Sequence, residues 1–407
     1  MVTIYSFYSN VLYQNFYYDH YEVGKVIVAL HKDFANQIAI RDIRSVLDEL
    51  NYEKAEVIFH LEGSENKSDV GDILLIYLNN NDKLAVVHAI EKLSAIPYVI
   101  YAEPDYLETL HVIPDDPLYG QLWGMKKIGV TSAWEYSTGS DSITVGVIDT
   151  GIDYHHPDIR QNMWSAPKGR PAYGWNFADH NRNPMDTDGH GTHVAGTIGA
   201  VGNNDIGIAG VCWNVKIAAL KFGLDIASAI EAINFANLFH ISILNASWGG
   251  RSYSQSLKYA IDHYQGLFIA SAGNDGTDND KSPIYPASYD SDNIITVAST
   301  SPDDSLSRFS NHGVESVDIA APGSNILSLG LEDEYHSQNG TSMSAPHVAG
   351  AAALLKAYRP NLSVPELKNI ILYSAVRNPN LTGKVLTGGV LNVKAMFELA
   401  DYLQRCK

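Results

Sequence analysis

Residues Asn339–Gly350 read Asn-Gly-Thr-Ser-Met-Ser-Ala-Pro-His-Val-Ala-Gly and lead directly into Ala-Ala-Ala-Leu-Leu. These small, helix-favouring residues predict a buried helix that begins at Ser342, after a tight turn that Gly340 permits. Pro346 is compatible with this helix if it lies in or near the first turn. At a helix N-terminus, unpaired N–H groups and the positive end of the dipole favour an oxyanion beside Ser342. Taken alone, the stretch leaves open that Ser342 is only an N-cap.

Two further motifs supply the groups that would activate this serine. Thr144–Asp153 reads Thr-Val-Gly-Val-Ile-Asp-Thr-Gly-Ile-Asp, an apolar strand that ends on Asp149. Asp188–Thr197 reads Asp-Gly-His-Gly-Thr-His-Val-Ala-Gly-Thr, which places His190 in a glycine turn at the start of a second helix. A carboxylate, an imidazole and a hydroxyl at the ends of three elements are the parts of an acyl-transfer triad. A zinc site at His190 and His193 is disfavoured, because the motif lacks the glutamate of His-Glu-x-x-His.

In the order Asp, His, Ser, the three segments resemble the subtilisin-like serine proteases. The resemblance implies a serine endopeptidase in which Ser342 attacks the peptide carbonyl, His190 is the general base and Asp149 orients the imidazole. It also implies that Asn274, in Ala-Ser-Ala-Gly-Asn-Asp-Gly, donates to the oxyanion together with the Ser342 N–H. A turn asparagine is the alternative interpretation of Asn274.

The same resemblance implies where a substrate binds. The residues concerned are Ser247, Trp248, Gly249, Gly273 and Ile284. The Ser-Trp-Gly segment corresponds to an extended edge on which substrates pair as an added strand, although a sheet-end turn would explain it equally. Ile284 stands in the loop that forms the primary specificity pocket, which predicts an apolar and restricted pocket. Residues 221–228 lack the usual glycine-rich loop, so one wall of the cleft is predicted to be short.

Calcium is the cofactor that the resemblance implies. The implied ligands are the side chains of Asp116, Asp158 and Asn204 and the backbone carbonyls of Val201, Ile206 and Ile208. All of these donors are oxygens, as a hard cation requires. An ordinary turn at residues 202–207, with no metal, remains the alternative.

The pattern of strands and helices predicts two domains. Residues 111–407 alternate strands and helices, which predicts an α/β fold with a mostly parallel, doubly wound sheet and an active site beyond the carboxyl ends of its strands. Residues 1–110 form an N-terminal extension followed by a βαββαβ pattern, which predicts a smaller ferredoxin-like α+β domain. The expected elements are a strand from Val23, a helix over 34–50, strands over 55–61 and 72–78, a helix over 83–96 and a strand over 98–102. This domain resembles the inhibitory prodomain of the family; a regulatory or binding domain is the alternative.

Composition narrows the classes of partner. The chain has 407 residues, 45% of them hydrophobic, and a formal charge of −18, which argues against nucleic acid and anionic membranes as partners. Only Cys212 and Cys406 are present, so no disulfide framework is expected. The first twenty residues lack the features of a signal peptide. The prodomain resemblance nevertheless implies secretion or export, and an intracellular location stays open.

The expected partners are a protein or peptide substrate and the chain's own prodomain, acting as an intramolecular inhibitor that is removed by autoprocessing. Two other functions remain open. The first is a dedicated processing protease or transpeptidase with one peptide substrate, and the second is a non-catalytic complex that binds or inhibits through a retained prodomain.

Overall fold

The computed structural model describes residues 21–34, 37–60, 69–107 and 112–405. The chain divides into two compact units, Met1–Thr109 and Leu110–Lys407. The expectations for residues 1–20, for Leu61 and for Cys406 lie outside the described residues. Among the helices that are described, none is both long and apolar enough to cross a membrane.

The N-terminal unit has the predicted βαββαβ order. Its elements are β1 (Tyr21–His31), α1 (Gln37–Glu49), β2 (Tyr52–Phe59), β3 (Val70–Leu78), α2 (Lys83–Ser94) and β4 (Val99–Tyr106). The strands form an antiparallel sheet in the order β2-β3-β1-β4, which confirms the ferredoxin-like prediction. Asp82 starts α2 by accepting a hydrogen bond from the Ala85 N–H. Val26, Ile76 and Leu93 belong to the buried core of this unit.

The C-terminal unit alternates strands and helices. Its strands are β5 (Gly139–Asp149), β6 (Gly174–Asn176), β7 (Asn214–Lys221), β8 (Ile243–Ala246), β9 (Leu267–Ser271), β10 (Ile294–Thr300), β11 (Ile319–Pro322), β12 (Ile326–Leu329), β13 (Tyr335–Gln338), β14 (Val376–Arg377) and β15 (Gly389–Val390). Its helices are α3 (Trp123–Lys127), α4 (Val130–Ala133), α5 (His190–Gly199), α6 (Ile226–Leu238), α7 (Gln255–Asp262), α8 (Thr341–Tyr358), α9 (Val364–Tyr373) and α10 (Val393–Arg405).

Within the described residues, the main sheet has nine strands in the order β14-β15-β11-β10-β9-β8-β5-β7-β6. Every neighbouring pair is parallel except β14 with β15. Both faces are covered, because Val145 and Val147 of β5 face a core that contains α5 and α8, while Ile148 faces one that contains α6 and α7. This arrangement confirms the predicted doubly wound α/β fold.

The predicted functional residues lie at the carboxyl edge of the central strands. Asp149 is the last residue of β5, and Ser247 directly follows β8, the strand that pairs with β5. Asn274 lies three residues beyond the end of β9, which pairs with β8. Three neighbouring strands therefore deliver these side chains to one edge of the sheet.

Helix α8 begins at Thr341, one residue before the predicted start. Pro346 consequently lies in the second turn, near the first turn as expected. A proline there removes the N–H that would bond to the Ser342 carbonyl one turn earlier. The Ser247 hydroxyl donates to that carbonyl at 2.8 Å, so the helix tolerates the proline.

Candidate active site

A short hydrogen bond joins two of the predicted triad residues. His190 Nδ1 lies 2.7 Å from Asp149 Oδ1, and the same oxygen accepts from the Thr150 N–H at 2.8 Å. Asp149 is 2% exposed, so its charge is poorly screened by water. Burial opposes protonation of His190, but the hydrogen bond and charge of Asp149 outweigh it, and the pKa of His190 is raised. The carboxylate thus orients the imidazole and favours its charged form.

Ser342 is the second residue of α8 and is 8% exposed. Its hydroxyl donates to the Ser247 carbonyl at 3.0 Å, while the Ser247 hydroxyl donates back to the Ser342 carbonyl. Among the described residues, no hydrogen bond joins Ser342 Oγ to His190. In this conformation the Ser342 hydroxyl proton points to the carbonyl of Ser247, the residue that follows β8.

The Asn274 side chain is held with its amide group available. Its Oδ1 accepts hydrogen bonds from the backbone N–H and the hydroxyl of Thr341, at 2.9 and 3.0 Å. A Cβ atom built on Gly340 would lie 3.6 Å from both Asn274 Nδ2 and the Ser342 N–H nitrogen. Asn274 Nδ2 and the Ser342 backbone nitrogen therefore lie near the same point beside Gly340.

The Ser247–Gly249 segment continues from β8 beside the serine. The Trp248 indole donates to the Ile148 carbonyl at 2.9 Å and packs against Phe222, with ring centroids 4.8 Å apart. Its side chain therefore holds the segment against the sheet.

Ile284 lies between two glycines of the predicted substrate set. A Cβ atom on Gly249 would come within 2.9 Å of Ile284 Cγ2, and one on Gly273 would lie 3.6 Å from Ile284 Cγ1. Gly250 and Tyr285 exchange two backbone hydrogen bonds, at 2.8 and 2.7 Å, and so fix this loop beside the Ser247–Gly249 segment. The structure brings Gly249, Gly273 and Ile284 close together.

The connection opposite this segment is short. Strand β7 ends at Lys221 and α6 begins at Ile226, with Asp225 as its N-cap. Leu224 has a φ of 59° and is 74% exposed at the tip of the connection. The length agrees with the short cleft wall expected from residues 221–228.

Three supporting residues were missed by sequence reasoning. Asp186 is buried and accepts four hydrogen bonds, from the N–H groups of Asp188, Gly189 and Thr192 and from the Thr192 hydroxyl. It thereby anchors the turn that carries His190, and an aspartate just before a helix was a usable signal. The second is Thr341, which donates two hydrogen bonds to Asn274 Oδ1. Because Thr341 directly precedes Ser342 in the sequence, its position could have indicated a supporting role.

The third is Asn311, which no local pattern marks. Its side chain accepts from the N–H groups of Asp275 and Thr277 and donates to Asn279, while its backbone N–H donates to the Gly273 carbonyl. These bonds fix the loop that carries Asn274. The contact depends on residues that are far apart in the sequence.

His193 does not share a site with His190. Its Nε2 lies 3.0 Å from the Ile326 carbonyl and 3.2 Å from the His336 carbonyl, so it ties α5 to the β12–β13 hairpin. Burial and the nearby His336 lower the pKa of His193 to about 3. Among the described residues, no group of three or more His, Cys, Asp or Glu side chains could hold a metal.

The predicted calcium ligands lie close to one another. Asp158 accepts from Asn204 Nδ2 and from the Ile208 N–H, both at 2.9 Å, and its carbonyl accepts from the Val201 N–H at 2.7 Å. Asn204 Oδ1 accepts from the Ile206 N–H. The loop from Val201 to Ile208 thus wraps the Asp158 side chain.

Asp116 completes this cluster. Its Oδ2 accepts from the Asn203 N–H, and its Oδ1 is buried without a hydrogen-bond partner among the described residues. Burial, together with the charge of Asp116, raises the pKa of Asp158 to about 6. Neither carboxylate forms an ion pair with a described residue. Two buried carboxylates, one of them with an unpaired oxygen, fit a hard metal ion.

Comparisons with known proteins agree with this geometry. A model of the subtilase family matches residues 140–393. A thermophilic serine proteinase from a Bacillus species is 33% identical over 347 residues, covering 82% of this chain and 78% of that protein. The halolysin-like extracellular serine protease Nep of Natrialba magadii is 37% identical over 287 residues, covering 68% of this chain and 51% of that protein.

Among solved structures, a protease from Pseudoalteromonas arctica aligns with a TM-score of 0.61 and 26% identity, over 70% of this chain and 99% of the other. The match to the family model, residues 140–393, includes the segments that carry Asp149, His190 and Ser342. The chain therefore belongs to the subtilase family and is a subtilisin-like serine endopeptidase.

Proposed function

We propose that Ser342 is the nucleophile, His190 the general base and Asp149 the residue that orients the imidazole. The observation that carries this proposal is the 2.7 Å hydrogen bond between His190 Nδ1 and the buried Asp149 carboxylate. On substrate binding, the Ser342 hydroxyl turns from the Ser247 carbonyl to His190 Nε2 and gives up its proton as it attacks the peptide carbonyl. The imidazolium then protonates the leaving amine, and water releases the acyl group by the same steps.

The oxyanion is stabilised by Asn274 Nδ2 and the Ser342 N–H. Support comes from the common 3.6 Å distance of both nitrogens from the Cβ position on Gly340. Because Thr341 occupies Asn274 Oδ1, the Asn274 amide N–H groups remain available to the oxyanion. Fixed donors in a buried site stabilise a developing charge without reorganisation.

The substrate is an extended protein or peptide that pairs with the backbone of Ser247–Gly249 and Gly273. Ile284 limits the depth of the pocket that accepts the residue before the cleaved bond, since it lies against Gly249. A small or medium apolar side chain fits this pocket best, and Lys or Arg would place a charge without a partner there.

The N-terminal unit acts as a prodomain. Residues 1–110 form the prodomain and residues 111–407 the catalytic domain, and the chain cleaves itself between them. The ferredoxin-like order of β1 to β4 supports this proposal. Export is proposed as well, because the relative from Natrialba magadii is named an extracellular protease. Nucleic acid and membranes are not expected as partners of this acidic chain.

Calcium binds at the Asp116 and Asp158 cluster. Asn204 and the carbonyls of Val201, Ile206 and Ile208 complete the ligand set. The unpaired Asp116 Oδ1 supports this assignment. The ion would neutralise two buried carboxylates and tie the loop of residues 201–208 to the body of the catalytic domain.

The test is the intact mass of the purified chain and of Ser342→Ala after incubation with calcium, together with labelling by a serine-directed fluorophosphonate. Cleavage into pieces of about 110 and 300 residues, and labelling, are expected for the wild-type chain alone. Labelling without cleavage would support Ser342 as the nucleophile and would reject autoprocessing. Equal behaviour of the two proteins would reject Ser342 and favour the non-catalytic alternative.

A dedicated processing protease or transpeptidase is the second candidate, favoured by the short connection between Lys221 and Ile226. Casein and a defined peptide distinguish the two candidates, in the presence and absence of an added amine. Rapid casein hydrolysis indicates a general endopeptidase. Turnover of the peptide alone, with transfer to the amine, indicates the second candidate.

A further inference from the structure

Helix α8 contains a break in its hydrogen bonding directly behind the nucleophile. Pro346 follows Ser342 by four residues and has no N–H, so the Ser342 carbonyl lacks the i+4 donor that an α-helix ordinarily supplies. A buried carbonyl without a partner destabilises its local backbone. The peptide group after Ser342 therefore depends on a donor from another element.

Ser247 supplies that donor. Its hydroxyl donates to the Ser342 carbonyl at 2.8 Å, and Ser247 is 3% exposed, so water does not compete for the bond. Asn245 Nδ2 lies 2.9 Å from Ser247 Oγ and donates to it, which directs the single Ser247 proton towards Ser342. Asn245 is fully buried within β8, so this chain of donors starts from a rigid strand.

We infer that the Ser247 hydroxyl is a positioning group, which replaces the helical hydrogen bond that Pro346 removes and so orients the first turn of α8. This inference rests on the proposed role of Ser342. The Ser342 N–H, proposed as an oxyanion donor, and the Ser342 Cα–Cβ bond both belong to that turn. A small rotation of this turn would misalign both groups with the transition state and would leave the substrate-binding backbone in place.

The experiment is a double-mutant cycle of Ser247→Ala and Pro346→Ala, with kcat and KM measured on a soluble peptide substrate. Active-site titration with a fluorophosphonate corrects each rate for any misfolded fraction. Ser247→Ala alone should lower kcat about tenfold with little change in KM. With Pro346→Ala present, a backbone N–H again reaches the Ser342 carbonyl, and the loss from Ser247→Ala should shrink to about threefold or less.

Ser242→Ala is the matched control. Ser242 directly precedes β8, whereas Ser247 directly follows it. The Ser242 hydroxyl makes only a long hydrogen bond, 3.5 Å, to the Thr144 carbonyl. It should leave kcat unchanged. Equal losses from Ser247→Ala in both backgrounds, a change confined to KM, or an equal loss in the control would each overturn the inference. Failure of the wild-type chain to titrate would instead reject the proposed function.

Discussion

Thr341 donates both its backbone N–H and its hydroxyl to Oδ1 of Asn274, at 2.9 and 3.0 Å. The same hydroxyl accepts a hydrogen bond from the Gly273 N–H at 3.1 Å. One side chain thus joins the start of α8 to the loop beyond β9. The Asn274 side chain and Ser342, which directly follows Thr341, are thereby held in a fixed relative position.

Thr341→Val should lower kcat about tenfold, because it removes one donor to Asn274 and leaves the Gly273 N–H unpaired while keeping the side-chain volume. Thr341→Ser keeps the hydroxyl and should stay within a few-fold of wild type. Steady-state kinetics on one peptide measure both variants. An unchanged kcat in Thr341→Val would show that the backbone N–H of Thr341 suffices to orient Asn274.

Asn274→Ala should lower kcat by about 10² to 10³ with KM nearly unchanged, as for the corresponding donor in subtilisin. The reason is that the amide bonds to the oxyanion and not to the ground-state carbonyl. The measurement uses autoprocessed enzyme, with far-ultraviolet circular dichroism as the check on folding. Turnover close to wild type in the folded variant would remove Asn274 from the oxyanion hole.

Activity should follow the neutral form of His190. Burial opposes protonation, but the charges of Asp149, Asp188 and Asp186 raise the pKa of His190 above its ordinary value. Because the base must be unprotonated, a raised pKa moves the acid limb of kcat/KM to higher pH. Asp188→Asn removes one of these charges, so the limb should move to lower pH.

Asp141→Asn is the control for that pH profile. Asp141 is exposed and lies near the start of β5, at the opposite end of the strand from Asp149. It changes the net charge equally and should not move the limb. The shift caused by Asp188→Asn should shrink at high salt, since Asp188 is exposed. A profile that is the same in both variants would contradict the assignment of His190 as the base.

Removal of calcium should lower the melting temperature. A ligand that binds only the folded state stabilises it by about 1.4 kcal/mol for each tenfold of concentration above its dissociation constant. Asp116→Asn should weaken this dependence. Asp115→Asn should retain it, because Asp115 is exposed and outside the proposed ligand set, and an asparagine there can still accept the hydrogen bond from the Asp205 N–H. Thermal unfolding across a calcium and chelator series measures both. A melting temperature that does not change on addition of the chelator would favour the alternative, a turn at residues 202–207 that binds no metal.

The size of Ile284 should control the preference for the residue before the cleaved bond. Ile284→Ala removes the side-chain carbons that lie near Gly249. The ratio of kcat/KM for substrates with Phe before the cleaved bond to kcat/KM for substrates with Ala there should therefore rise about tenfold. Gly249→Ala should act in the opposite direction, since its Cβ would lie 2.9 Å from Ile284 Cγ2. A peptide library measures both ratios. Preferred cleavage after Lys or Arg would contradict the apolar pocket.

Local patterns predicted most elements of the fold. The βαββαβ order of the N-terminal unit and the alternation that follows agree with the structure, because hydrophobic periodicity and glycine breaks act over a few residues. The errors are at element ends. The helix expected from Phe34 begins at Gln37, and the strand expected to end at Ala102 continues to Tyr106. Strand pairing extends an element beyond what its own residues indicate.

The sequence by itself determined the chemical groups and their local geometry: Asp149 at a strand end, and His190 and Ser342 at helix starts, each within a short run of apolar or small residues. Only the tertiary structure decided which distant groups support them. The hydroxyl of Ser247 behind Ser342 and the Asn311 side chain beneath the Asn274 loop both come from other elements. Neither contact has a local pattern, because a hydrogen bond between buried groups far apart in the chain depends on how the strands and helices pack.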